Sequence, residues 1–195
     1  MNTINLKIVV GSTREGRFGN QAAAWVAELA TKNSDFAVEV VDLNDYPMPF
    51  FDSAISPSFK TAPYPDAMVE KFTSKIAEGD AYILITPEYN HSTSGVLKNA
   101  LDWVYKEWNN KPVGFVSYGS VGGARAIEHL RGITTELQMA SVREAVHFLG
   151  NEYFAAAFGD KNFKPMFEGQ EKKAEAMLAQ LLWWAKALKS ARDLE

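Results

Sequence analysis

The run IVVGSTREGRFGN at residues 8–20 decides how the rest of the chain is read. Its apolar start suits a strand, Gly11-Ser12 breaks that strand, and a loop with two arginines and two further glycines follows. From Gln21 the sequence QAAAWVAELA reads as a helix. A strand, a glycine- and hydroxyl-rich turn and a helix N-terminus together form a geometry for holding an anion. Free backbone N–H groups and the positive end of the helix dipole point into such a turn. Ser12 and Thr13 add hydroxyl donors, and Arg14 and Arg17 add charge-assisted ones. The expectation is a phosphate-binding loop. The same stretch also serves as an ordinary strand-to-helix turn with Asn20 as its N-cap.

Two nucleotide readings weaken on the residues themselves. Gly11 and Gly16 have the spacing of a Walker loop, but Arg17-Phe18 stands where Lys-Ser/Thr is required. There is no G-x-G-x-x-G after the first strand, so a dinucleotide bound in Rossmann fashion is not expected there. Asp42, at the end of the second strand, reads as an ordinary strand-end polar residue.

A chain of 195 residues suits one domain, taken here as 1–195. That length buries roughly 70% of the unfolded surface without metal or disulfide. Hydrophobic residues make up 47% and charged residues 23%, as in an ordinary globular protein. A net charge of -4 argues against a nucleic-acid partner. With no cysteine there is no disulfide framework, thiolate nucleophile or cysteine metal site, and His91, His129 and His147 lack metal spacing. Without a signal-like N-terminus or a membrane-length apolar run, the expected setting is the cytoplasm, away from any membrane.

Strands are expected at Leu6 to Val10, Phe36 to Leu43, Ala81 to Thr86, Pro112 to Ser117 and Val142 to Phe148. Helices fall between them, including one from Val96 to Trp108, and a last one spans Glu168 to Ala191. The stretch Asn44 to Pro65, rich in Pro, Ser and aromatics, reads as a long loop. Alternating strands and helices give an α/β sandwich with a parallel sheet, and right-handed crossovers with this length favour the order 2-1-3-4-5. Ligands of such a sheet lie beyond the carboxyl ends of the strands. Three unusual loops fall there: residues 11–20, Thr86 to Gly95, and Ser117 to Gly123. In the second, Tyr89 offers a flat surface beside backbone polar groups. In the third, three glycines allow backbone to approach a flat ligand, or the loop is a helix N-terminal turn with Ser117 or Ser120 near the cap. His91 and Glu88 invite an acid–base role, but a loop histidine without a carboxylate partner reads better as structural. No nucleophile elbow surrounds Ser12, Ser92 or Ser117.

GSTREGR at 11–17, PEYNHS at 87–92, GVLKNALDW at 95–103 and SYGSVGGAR at 117–125 resemble the NADPH-dependent FMN reductase family. The resemblance covers about two-thirds of the chain and implies a flavodoxin-like three-layer sandwich that binds FMN and takes NADPH or NADH as reductant. It implies that Ser12, Arg14 and the Phe18-Gly19-Asn20 turn hold the FMN phosphate, with Arg17, a serine in many relatives, binding or bordering it. Pro87, Glu88, Tyr89 and Asn90 would line the isoalloxazine, and Ser117, Tyr118 and Gly119 its other edge. Relatives are dimers or tetramers with the Trp103 helix at the interface. The function implied is hydride transfer from NAD(P)H through FMN to a quinone-like or other small acceptor, or to free flavin. The flavin carries the chemistry, so no catalytic side chain and no metal is expected. The alternative is a flavodoxin-like electron carrier or flavin-binding regulator without NAD(P)H turnover. A phosphoester hydrolase would need metal ligands and a nucleophile not seen in the sequence.

Overall fold

Tyr82, Ile83 and Leu84 lie at the centre of the molecule, none of them exposed to solvent. They belong to the middle strand of a computed structural model described from residue 3 to residue 194. Five strands, β1 (Ile4–Val10), β2 (Phe36–Asp42), β3 (Ala81–Pro87), β4 (Pro112–Gly119) and β5 (Ala140–Leu149), form one parallel sheet in the order β2-β1-β3-β4-β5. Successive side chains of a strand face opposite ways, and here both faces are covered. Leu6, Ile8, Val10, Ile83 and Ile85 enter one core, and Val9, Tyr82 and Leu84 the other. That double burial is why the strands read as continuous apolar runs.

Helices α1 (Gly19–Thr31), α5 (Gly150–Phe158) and α6 (Lys164–Arg192) cover the first face; α2 (Ala67–Ala77), α3 (Gly95–Trp103) and α4 (Ala124–Glu136) cover the second. This is the expected three-layer architecture and strand order. Strand ends shift by one or two residues, and the larger differences from expectation lie in the helices. Helix α3 stops at Trp103, after which Val104 is extended and Lys106–Trp108 forms a separate 3-10 turn. The Trp103 carbonyl accepts the Tyr64 hydroxyl, and the Trp103 indole N–H donates to the Pro49 carbonyl at 2.9 Å. The long loop thus takes the carbonyl that a further helical turn would have used. Trp103 is therefore buried within its own chain, at 5% exposure, beneath Phe51 and Tyr64. Helix α5 is new, and α6 begins earlier than the sequence suggested.

Candidate functional site

Loop one, between β1 and α1, is pinned from behind. Gly11 N–H donates to Ile85 O at 2.8 Å, and the Ser94 hydroxyl, which caps α3, donates to Gly11 O. A Cβ on Gly11 would stand 2.6 Å from Ile85 O and 2.8 Å from the Leu97 side chain, so only glycine lets loop one cross so close to β3 and α3. At its far end Phe18 is buried in an aromatic box of Tyr118, Phe148, Tyr153, Phe163 and Phe167, with ring centroids 5.1–5.9 Å away. Between these anchors the backbone turns its donors outward. The N–H groups of Thr13, Arg14, Glu15, Gly16 and Asn20 have no acceptor among the described residues. Helix α1 starts at Gly19 with Phe18 in the cap position, no side-chain cap and no acid in its first turn. Asn20 is not the N-cap: its amide oxygen accepts Arg17 Nε at 2.8 Å.

Thr13, Arg14, Gly16, Arg17, Asn20 and Asn44 line an open cleft over these donors. Arg14 is exposed, with its guanidinium carbon 5.6 Å from the Tyr89 ring centre. Arg17 is turned against β2, where it pairs with Asp42. That acid is thus part of the loop-one architecture and more than a strand-end polar residue. Ser12 is buried, its hydroxyl 3.1 Å from that of Tyr89. The Tyr118 hydroxyl, also buried, has no hydrogen-bond partner and reaches to 3.3 Å of where a Cβ on Gly19 would stand. Burial raises the Tyr118 pKa, so the phenol stays protonated. Unpaired N–H groups, an uncapped helix dipole, Ser12 and Arg14 form a donor-rich set. This set fits a phosphate monoester such as that of FMN.

Loop three is a tight turn. Tyr89 N–H donates to Ser92 O at 2.9 Å and Ser92 N–H to Tyr89 O at 3.2 Å, with Asn90 and His91 at φ of 48° and 75°. Two left-handed central residues match a type I′ hairpin turn, where Asn is favoured and His is strained. The Tyr89 backbone groups are thereby satisfied within the turn, and Glu88 N–H donates to Tyr118 O at 2.9 Å. Asn90 and His91 form the exposed tip. Pro87 ends β3, beside Tyr118 of β4. The Glu88 carboxylate, 3% exposed, accepts Arg125 Nε at 2.6 Å and the Arg125 N–H at 3.3 Å. It thereby stabilises the N-terminus of α4. His129 Nδ1 lies 2.9 Å from the Ser92 hydroxyl, and the His91 ring is 6.2 Å from that of His129.

Loop four folds over a second lock. The Ser117 hydroxyl is fully buried and donates to Gly122 O at 2.6 Å; His147 Nδ1 sits 3.1 Å from that hydroxyl and 3.2 Å from the same carbonyl. Neither Ser117 nor Ser120 caps α4. The cap position is Gly123 at φ 74°, where a Cβ would stand 2.5 Å from that of Ser117. Burial lowers the His147 pKa, so the ring is neutral at pH 7. Of the residues singled out in the sequence, Ser12, Arg14, Arg17, Asn20 and the Gly19 backbone meet at loop one. Glu88 and Gly119 meet between loops three and four, where a Cβ on Gly119 would stand 3.1 Å from that of Glu88. Phe18, Tyr118 and Ser117 support these loops from beneath. Tyr153 and Arg125 were missed: the first packs on Phe18 and Tyr118 from α5, and the second holds Glu88. The aromatic run Tyr153, Phe154, Phe158 with Phe163 and Phe167 was the signal available for the first.

The described residues hold no group of three His, Asp or Glu arranged for a metal ion, and no helix among them is long and apolar enough to cross a membrane. The family model for NADPH-dependent FMN reductases matches residues 4–153. An NAD(P)H-dependent FMN reductase of Schizosaccharomyces pombe is 36% identical over 137 residues, covering 70% of this chain and 68% of that protein. A 2-hydroxy-1,4-benzoquinone reductase of a Burkholderia species is 33% identical over 156 residues, covering 76% and 80%. Among solved structures, the flavoenzyme NAD(P)H:(acceptor) oxidoreductase FerB from Paracoccus denitrificans superposes with a TM-score of 0.64 at 22% identity, covering 92% of this chain and 97% of that one. This likeness shows the shared fold. A family model that spans residues 4–153, together with relatives above 30% identity over most of their length, establishes that the chain is an oxidoreductase belonging to the NADPH-dependent FMN reductase family.

Proposed function

We propose that the protein uses NAD(P)H to reduce a quinone-like or other small acceptor, or free flavin, through FMN seated beyond the carboxyl ends of β1, β3 and β4. The observation that carries this reading is the donor-rich turn of loop one, with its unpaired N–H groups and uncapped α1, facing the cleft. When bound, FMN accepts a hydride and gives up electrons singly or in pairs. The chain's residues bind and orient. Ser12, Arg14, Arg17, Asn20 and the backbone of Phe18 and Gly19 would hold the phosphate. Pro87 to Asn90 would flank the ring, with Tyr118 and Gly119 on its other edge. Glu88 would hold loop three against loop four, and Ser117 with His147 would fix the path of loop four. No side chain of the site is assigned a proton transfer, and Glu88 is committed to Arg125. The benzoquinone reductase among the relatives supports a flat, conjugated acceptor. Assembly into dimers or tetramers and a cytoplasmic setting are part of the same proposal and rest on the family resemblance of the sequence alone.

The test is steady-state NADPH oxidation by purified protein with FMN, with and without a benzoquinone, under nitrogen. Consumption that requires FMN supports the proposal; a further requirement for the benzoquinone assigns the quinone-like acceptor, and consumption by excess FMN alone assigns free flavin. Stoichiometric flavin binding with no NADPH or NADH consumption would replace it with the electron-carrier or regulator reading.

A further inference from the structure

Asp42 ends β2 with its side chain 22% exposed, behind Arg17 and Asn44, which line the loop-one cleft. One oxygen accepts Arg17 Nη2, and the other accepts the Asn44 N–H at 2.9 Å. Arg17 Nε is held in turn by Asn20, and Arg17, Asn20 and Asn44 all line the cleft. The acid therefore sits on one of two guanidiniums in a site whose ligand is itself an anion. An amide at 42 would keep its oxygen for Arg17 and give up only the Asn44 N–H, which can turn to water, so holding Arg17 in place does not by itself call for an acid. The carboxylate adds charge. It offsets the Arg17 cation, so Arg17 faces the cleft as a donor with little net field. Glu15 also lines the cleft, but it is exposed and screened by water. Apart from the exposed Glu15, loop one presents groups that attract an anion; Asp42, at the end of β2, is the fixed group that opposes one.

We infer that Asp42 lowers affinity at the flavin-phosphate site and keeps FMN exchangeable with solution. The inference rests on the reading of loop one as the FMN-phosphate site. Neutralising Asp42 releases the Arg17 charge toward the cleft. At separations of several ångströms and an effective dielectric of about 20, the gain after screening is about tenfold in affinity.

Apo-protein is titrated with FMN and with riboflavin, following flavin fluorescence, for wild type, Asp42→Asn and the double variant D42N/R17Q. Asp42→Asn is expected to bind FMN about tenfold more tightly, with slower release and a steeper salt dependence. Riboflavin, which lacks the phosphate, should bind as to wild type, and the double variant should lose the gain. If Asp42→Asn loses its native circular dichroism, Asp42→Ser carries the same comparison. A folded Asp42 variant that binds FMN no more tightly than wild type overturns the inference. A wild type that binds riboflavin as tightly as FMN, or binds neither, instead removes the phosphate reading on which it rests.

Discussion

Glu88 and Arg125 bind each other between loop three and α4, Arg125 Nε lying 2.6 Å from a carboxylate oxygen of a side chain that is almost wholly buried. This contact joins loop three to the first turn of α4 and so fixes the spacing of loops three and four. It also removes Glu88 from the set of free acids, so its role is to position.

Replacing Glu88 with Ala is therefore expected to act on binding more than on turnover. Arg125 is 40% exposed and regains water, so the loss of stability is modest, about 1–2 kcal/mol. FMN affinity should fall about tenfold while turnover at saturating FMN stays within about threefold of wild type. Glu88→Gln should lie between. Flavin titration and steady-state rates on the same samples check this; full FMN binding with abolished turnover would make Glu88 catalytic.

Phe18 ties loop one to β4, β5, α5 and α6 through its five ring contacts. Phe18→Ala is expected to destabilise the fold by about 3–5 kcal/mol, and Phe18→Leu by less. Urea unfolding measures both. Because the Phe18 backbone sets the entry to α1, the Ala variant should also bind FMN more weakly at temperatures where it remains folded.

Ser12 shares its hydroxyl with Tyr89 at 3.1 Å. A phosphate at loop one would draw on Ser12, so Ser12→Ala should weaken FMN about tenfold and leave riboflavin unchanged. Tyr89→Phe removes the competing hydroxyl and is expected to keep FMN affinity within about threefold of wild type. Equal loss of FMN and riboflavin in Ser12→Ala would contradict the phosphate assignment.

Lys111 lies at the opposite end of β4, 8% exposed, with Nζ donating to Ala77 O at 3.1 Å and lying 3.2 Å from the Tyr82 hydroxyl. Burial, reinforced by Arg192, lowers its pKa from 10.5 to about 8. Between those values the unfolded chain binds more protons than the folded one, so this group makes stability rise with pH. The slope is up to about 1 kcal/mol per pH unit across that window. Denaturant unfolding at several pH values should show the rise in wild type and its loss in Lys111→Met. Parallel profiles for the two proteins would refute it.

The fold was legible because each central strand is buried on both faces and leaves a continuous apolar run, and because Gly, Ser and Pro mark the strand ends. What escaped the sequence depends on distant pairs. The end of α3 is set by Tyr64, 39 residues away, taking the Trp103 carbonyl. Asp42 looked ordinary until folding placed Arg17 beside it, and Asn20 looked like a cap until Arg17 claimed its oxygen. At the site, motif spacing located all three loops. The partners that stiffen them, Arg125 for Glu88 and His147 for Ser117, lie in other elements, and no local pattern announces them.

The central claim is tested most directly by mixing FMN-loaded protein with a slight excess of NADPH under anaerobic conditions and following the flavin absorbance. The account predicts rapid, stoichiometric bleaching, reversed when a benzoquinone is added. Flavin that stays oxidised with both NADPH and NADH would contradict it.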